Sequence, residues 1–195
     1  MTLPNQLTIL RIVLSPVFLF LFLSHDPLMK QISVGVFIIA SLSDWYDGWL
    51  ARKFNYISEW GKFMDPLADK ILVSTAFIGF VLVGLVEWWM VAIIVIRDFS
   101  ITFLRIIADR KGDVFTTSYY AKWKTILQMI FLYYLLIIYV GSITPSLKKE
   151  FGDVFQILLN QDLVYFFMLI ITLITVHTGY IYIRKNKEVL KKIFS

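Results

Sequence analysis

The feature that most constrains this chain is a succession of apolar runs, each about as long as a helix must be to cross a bilayer. Roughly 20 apolar residues, within a range of about 17 to 25, span a hydrocarbon core. Six segments meet that length: Leu7 to Leu23, Gln31 to Leu50, Phe63 to Val86, Trp88 to Ala108, Thr125 to Thr144 and Leu163 to Ile183. The expected fold is therefore an all-α polytopic membrane protein of six transmembrane helices, built as a single domain over residues 1–195. Composition agrees, since 58% of the residues are hydrophobic, above the roughly 45 to 50% of soluble domains. There is no cysteine, which excludes disulfides, thiolate metal sites and cysteine nucleophiles. The opening run has no basic segment before it and no small-residue cleavage site after it, so it is expected to be retained.

Charge sets the expected orientation. A formal charge of +5 would suit nucleic acid, but the basic residues flank apolar runs instead of forming an arm, so no nucleic-acid partner is expected. Six spans put both termini on one side. That side would hold Arg52, Lys53, Arg110, Lys111, Lys122, Lys124, Arg184, Lys185, Lys187, Lys191 and Lys192, against Lys30, Lys148 and Lys149 on the other. The excess marks the cytoplasmic face of a bacterial-type inner membrane. The short stretch Gly84 to Glu87 predicts a tight helical hairpin between spans three and four. The tail RKNKEVLKKIFS predicts an amphipathic terminal segment, with Val189, Leu190, Ile193 and Phe194 toward membrane lipids and lysines toward anionic head groups.

Against this apolar background stand four aspartates. Asp44 and Asp47 fall near the cytoplasmic end of span two, Asp65 and Asp69 near the cytoplasmic start of span three. At about 100° per residue each pair lines one helical face, and antiparallel neighbours could turn the two faces toward each other. An ionised aspartate mid-membrane costs about 2.5 to 3.5 kcal/mol, less near the interface. Pairing with Lys53, Lys62 or Lys70 would explain any one of them. Four carboxylates on two matched faces, without an equal number of buried cations, point instead to hard divalent ions such as Mg²⁺ or Mn²⁺. Gly48 and Ala51, one turn beyond Asp44 and Asp47, leave the acidic face open to a bulky ligand, and Arg52 supplies a guanidinium suited to phosphate.

Residues 44 to 69 read D-x2-D-G-x2-A-R-x8-G-x3-D-x3-D, with Gly61 as the last glycine. The segment resembles the signature of the CDP-alcohol phosphatidyltransferases, with every position filled. The resemblance implies a six-helix membrane enzyme that moves a substituted phosphate from a CDP-alcohol to the hydroxyl of a second alcohol and releases CMP. By the same resemblance Asp44, Asp47 and Asp65 hold two divalent cations, and Asp69 is the general base and a further metal ligand. Asp44, Gly48, Ala51, Arg52 and Gly61 border the CDP-lipid, and the protein is a homodimer.

The fourth span carries Asp98, Arg105 and Asp109 on one helical face. An internal salt bridge of Arg105 with these carboxylates is one reading. The other is that Arg97 or Arg105 meets an anionic acceptor, supported by Arg110, Lys122, Lys124 and Thr125 near the cytoplasmic mouth. The opening LPNQLTILR, the RD and LR of span four and KWKT at 122–125 resemble the family branch that joins CDP-diacylglycerol to glycerol 3-phosphate. Ala121 stands where that branch commonly has Gly, and Asp98 where it commonly has Glu. Asn5, Thr8 and Arg11 share one face of the first helix, either as a cap with a snorkelling arginine or as a wall of the lipid-phosphate or acceptor site. Serine, inositol phosphate or phosphatidylglycerol are the alternative acceptors. A divalent-cation transporter is the alternative of another class, and would require acidic residues to continue across the membrane.

Overall fold

The computed structural model describes residues 3–54, 59–112 and 119–194, apart from some side chains next to the two interior breaks and at the two ends. Among the described residues every regular element is helical: α1 (Leu3–Phe22), α2 (Pro27–Phe54), α3 (Glu59–Leu82), α4 (Trp88–Lys111), α5 (Tyr119–Ile143), α6 (Pro145–Leu158), α7 (Gln161–Lys185) and α8 (Lys187–Phe194). The protein is all-α, and α1 to α5 and α7 fall on the six expected segments, although α3 ends at Leu82, before the expected Val86. By length and hydropathy α1, α5 and α7 are each sufficient to cross a membrane. Helices α2, α3 and α4 carry the charges of the site and fall short of that measure, so a count of six spans is not fixed by composition.

Local chemistry explains the helix ends. Gly84 has φ +74, a left-handed conformation that costs glycine little. The Gly84 N–H reaches the Val81 carbonyl and the Leu85 N–H the Phe80 carbonyl, both at 3.0 Å, which stops α3 with a Schellman-type cap. The predicted hairpin into α4 is thereby present. Pro145 opens α6 at a position where a missing N–H costs nothing. The Asn160 side chain caps α7 by accepting from the Asp162 and Leu163 N–H groups.

The join between spans five and six holds α6, whose residues are all at least partly exposed. Its backbone kinks at Phe151, where φ is −121 and ψ 20, and beyond the kink Phe155 covers Gly141 of α5. In α8, Val189 and Leu190, expected toward lipid, are partly buried instead against the pair Ala108 and Tyr182. Asn186, buried at the end of α7, donates from Nδ2 to the Tyr182 carbonyl, and α8 beyond it lies on α4 and α7.

Helix α1 sits between α2 and α3 and changes character along its length. Its later turns bury Phe18 and Phe22 in a core shared with Phe37 of α2, Phe77 and Phe80 of α3 and Leu132, Leu135 and Leu136 of α5. Phe22 meets Phe80 edge to face at 5.3 Å. Because lipid is itself apolar, such contacts hold helices together through close packing more than through exclusion of water. The earlier turns bury Asn5, Thr8, Arg11 and Ser15 instead. The polar half of the bundle, opposite that core, positions the site.

Candidate active site

The aspartates of α2 and α3 meet the polar face of α1. Arg11, fully buried, places Nη1 2.6 Å from Asp44 Oδ1, and the Thr8 hydroxyl donates to Asp65 Oδ1 at 2.5 Å. Arg11 is therefore not snorkelling to an interface, and Thr8 and Arg11 are partners of the carboxylates, while Asn5 is buried on the same helix. On α3, Lys70 Nζ lies 3.1 Å from Asp69 Oδ2. Asp65 and Asp69 are both near enough to act electrostatically on Asp44. The side chains of Asp47, Gly48, Ala51 and Arg52 lie outside the described residues, although their backbone belongs to α2. Gly61 is buried near the start of α3.

The chemistry of this donor set suits a hard divalent cation, since carboxylate oxygens are the ligands Mg²⁺ and Mn²⁺ prefer. Asp44 keeps 46% of its side chain exposed and Asp69 35%, so each has oxygen surface left after its cation pair. Among the described residues no three acidic or histidine side chains converge tightly enough to hold an ion. A complete site would need Asp47.

Next to Asp69 opens a cavity of about 1120 Å³. One wall is α3, with Phe63, Pro66, Asp69 and Lys70; α4 contributes Arg97, Asp98, Arg105, Asp109 and Arg110; α5 contributes Ala121, Lys122 and Thr125; and α7 contributes Tyr182. The expected acceptor residues Arg97, Arg105, Arg110, Lys122 and Thr125 are thus brought to one space with the expected base. Arg110 stacks its guanidinium over Phe63, 4.9 Å from the ring centre. Lys124 does not join them: it is 1% exposed and lies behind the wall.

Asp98 decides where Lys124 goes. Lys124 Nζ donates to both Asp98 oxygens, at 2.6 and 2.8 Å. Arg97 Nη1 donates to Asp98 Oδ1 at 3.0 Å and Arg97 Nη2 to Thr178 Oγ1 at 3.1 Å. Among the described residues, the ion-pair partners of Asp98 are therefore Arg97 and Lys124, not Arg105, while Arg105 and Asp109 are exposed on the cavity side. A shared helical face brought Arg105 near Asp98 in register. The adjacent residue and a neighbouring helix supplied the closer cations.

Sequence reasoning did not single out Thr178 and Tyr182 of α7 or Pro66 inside α3, whereas Lys70, expected as a partner of one of the aspartates, pairs with Asp69. Thr172, Thr175 and Thr178 are buried polar residues at helical spacing in an apolar helix, which is a signal for an inward face. It does not name the partner.

The model of the family described as CDP-alcohol phosphatidyltransferase matches residues 1–177. The chain belongs to that family, and it is a phosphatidyltransferase. The CDP-diacylglycerol–glycerol-3-phosphate 3-phosphatidyltransferase of Bacillus subtilis is 40% identical over 140 residues, covering 66% of this chain and 72% of that protein. A protein of the same name from Rickettsia typhi is 34% identical over 186 residues, covering 95% of this chain and 97% of its own. A probable phosphatidylglycerophosphate synthase of Mycobacterium tuberculosis is 37% identical over 131 residues, covering 66% of this chain and 62% of that protein.

Proposed function

We propose that this enzyme transfers the phosphatidyl group of CDP-diacylglycerol to sn-glycerol 3-phosphate, giving phosphatidylglycerophosphate and CMP. One observation carries the reading: a single cavity has the Asp69 carboxylate on one wall and the guanidinium groups of Arg97, Arg105 and Arg110 with Lys122 on the other. A carboxylate can take a proton from an alcohol, and a cluster of cations suits an acceptor that bears a phosphate. The names of the relatives above point to the same two substrates.

In this mechanism the acceptor phosphate lies against the basic wall and its free hydroxyl faces Asp69. The hydroxyl proton passes to Asp69 as the acceptor oxygen forms its bond to the lipid-linked phosphorus. The bond from that phosphorus to the bridging oxygen breaks, and CMP leaves with the electron pair. Lys70 compensates the charge of Asp69 before the proton arrives. Asp44, Asp47, Asp65 and Asp69 would hold two Mg²⁺ or Mn²⁺ ions. Those ions, when bound, supply charge neutralisation at the transferring phosphorus and on the leaving group. Thr8 and Arg11 fix the orientation of Asp65 and Asp44. Gly48, Ala51, Arg52 and Gly61 border the cytidine diphosphate.

The same reading places the cavity and both termini in the cytoplasm, supported by the basic residues at that end. It takes residues 1–195 as one catalytic domain in a homodimer, which rests on the family resemblance and is checked by the mass of the detergent-solubilised protein. The deciding experiment supplies CDP-diacylglycerol with glycerol 3-phosphate, serine, inositol phosphate or phosphatidylglycerol and follows CMP release with and without Mg²⁺ or Mn²⁺. Preference for any other acceptor overturns the substrate assignment, and full activity in a chelator overturns the metal assignment.

A further inference from the structure

The basic wall is backed by a charge network of which the proposed chemistry uses only Arg97 directly. Asp98 is 5% exposed and Lys124 1%, and both carboxylate oxygens are engaged by the Lys124 ammonium. Asp98 also takes a hydrogen bond from Arg97, whose other terminal nitrogen is held by Thr178. A Cβ added at Gly179 would come within 3.3 Å of Arg97 Cγ, so the α7 backbone lies along the stem of the arginine. The guanidinium is thereby fixed from two helices. Its Nε has no partner among the described residues. Of the two cations on Asp98, only Arg97 reaches the cavity.

The charge count gives this arrangement a purpose. One carboxylate between two cations leaves a net positive charge. With Lys124 gone, Asp98 and Arg97 would cancel each other where the low polarity of the surroundings makes their attraction strong. With Asp98 gone, Arg97 would lose one of its two fixed contacts. We propose that Lys124, Asp98 and Thr178 are positioning residues: Lys124 neutralises Asp98 so that Arg97, held by Asp98 and Thr178, presents an uncancelled charge to the phosphate of the acceptor. The proposal rests on the acceptor assignment above, and it gives Lys124 an action through Asp98 and Arg97 without contact with the substrate. A guanidinium fixed in this way suits forked binding of a phosphate monoester.

The test uses the full-length enzyme in detergent or vesicles, with KM measured separately for glycerol 3-phosphate and CDP-diacylglycerol. Lys124→Met is expected to raise the acceptor KM roughly 10- to 100-fold, the range for loss of one charge-assisted contact. The KM for CDP-diacylglycerol should stay unchanged. Adding Asp98→Asn to Lys124→Met should recover part of the loss, because the cancelling charge is gone, and Lys124→Arg should stay near wild type. A double variant as impaired as Lys124→Met, or an equal rise in both KM values, overturns the proposal. Thr178→Val keeps every charge and removes one bond from Arg97, so it can be read even where a charge variant fails to fold. A raised acceptor KM supports the fixed arginine, and an unchanged one overturns it. Preference of the wild-type enzyme for an uncharged alcohol would remove the acceptor assignment itself, before any variant is compared.

Discussion

Two buried cations face two aspartates in this bundle, and the contrast between them separates chemistry from scaffold. Arg11 and Lys124 are both almost wholly enclosed. Asp44, the partner of Arg11, keeps 46% of its side chain exposed, whereas Asp98, the partner of Lys124, keeps 6%. The first pair sits at the rim of the acidic face and can add a further ligand on its open side. The second is nearly enclosed at the edge of the cavity, with both carboxylate oxygens held by Lys124 and one also by Arg97. A closed pair is costly to form and costlier to break, which suits a part that must not move.

The largest effect should fall on the open side and be chemical. Asp69→Asn is expected to lower turnover by about 100- to 10,000-fold, the usual worth of a general base, with CDP-lipid binding largely kept. CMP release against equilibrium binding of the CDP-lipid measures both, and wild-type turnover would reject the role of Asp69.

The next effect separates the two pairs by stability. Asp98→Ala leaves Lys124 enclosed without its carboxylate and should destabilise the fold by about 3 to 5 kcal/mol. Asp44→Ala should destabilise it less, since water reaches the vacated position. Unfolding in detergent compares them, and equal losses would erase the distinction.

Ligand binding sharpens the same contrast. At a hundredfold excess over its dissociation constant, a divalent cation that binds only the folded state adds about 2.7 kcal/mol of stability. Mn²⁺ should therefore raise the unfolding temperature of the wild type and of Thr178→Val, but much less that of Asp44→Ala. A shift of the same size in all three would move the cation away from the aspartates of α2 and α3.

The smallest effect concerns α8, which docks on the helix carrying Asp98. Val189→Ala removes apolar contact with the Ala108 and Tyr182 cluster and should destabilise by about 1 kcal/mol. A lipid-facing valine would show no change.

Much of this molecule was legible before any fold was known. Apolar length marked the six long helices, and spacing put Asp65 and Asp69 on one face of α3, because helical periodicity depends only on near neighbours in the chain; the side chain of Asp47 lies outside the described residues. Helix α6 was not legible, since 14 residues of mixed polarity do not announce themselves beside longer spans. The lipid-facing assignment of Val189 and Leu190 failed for a related reason: amphipathicity shows that a face is apolar, not what covers it.

The sequence by itself determined the family, through the register of its aspartates, glycines and arginine, and with it the expectation of hard oxygen donors. Only the tertiary structure decided which cation meets which carboxylate. Thr8 reaches Asp65 across 57 positions, Lys124 reaches Asp98 across 26, and Arg97 reaches Thr178 across 81. Such pairings depend on how helices are rotated and stacked, and the energy that selects them comes from burial, which no local pattern encodes.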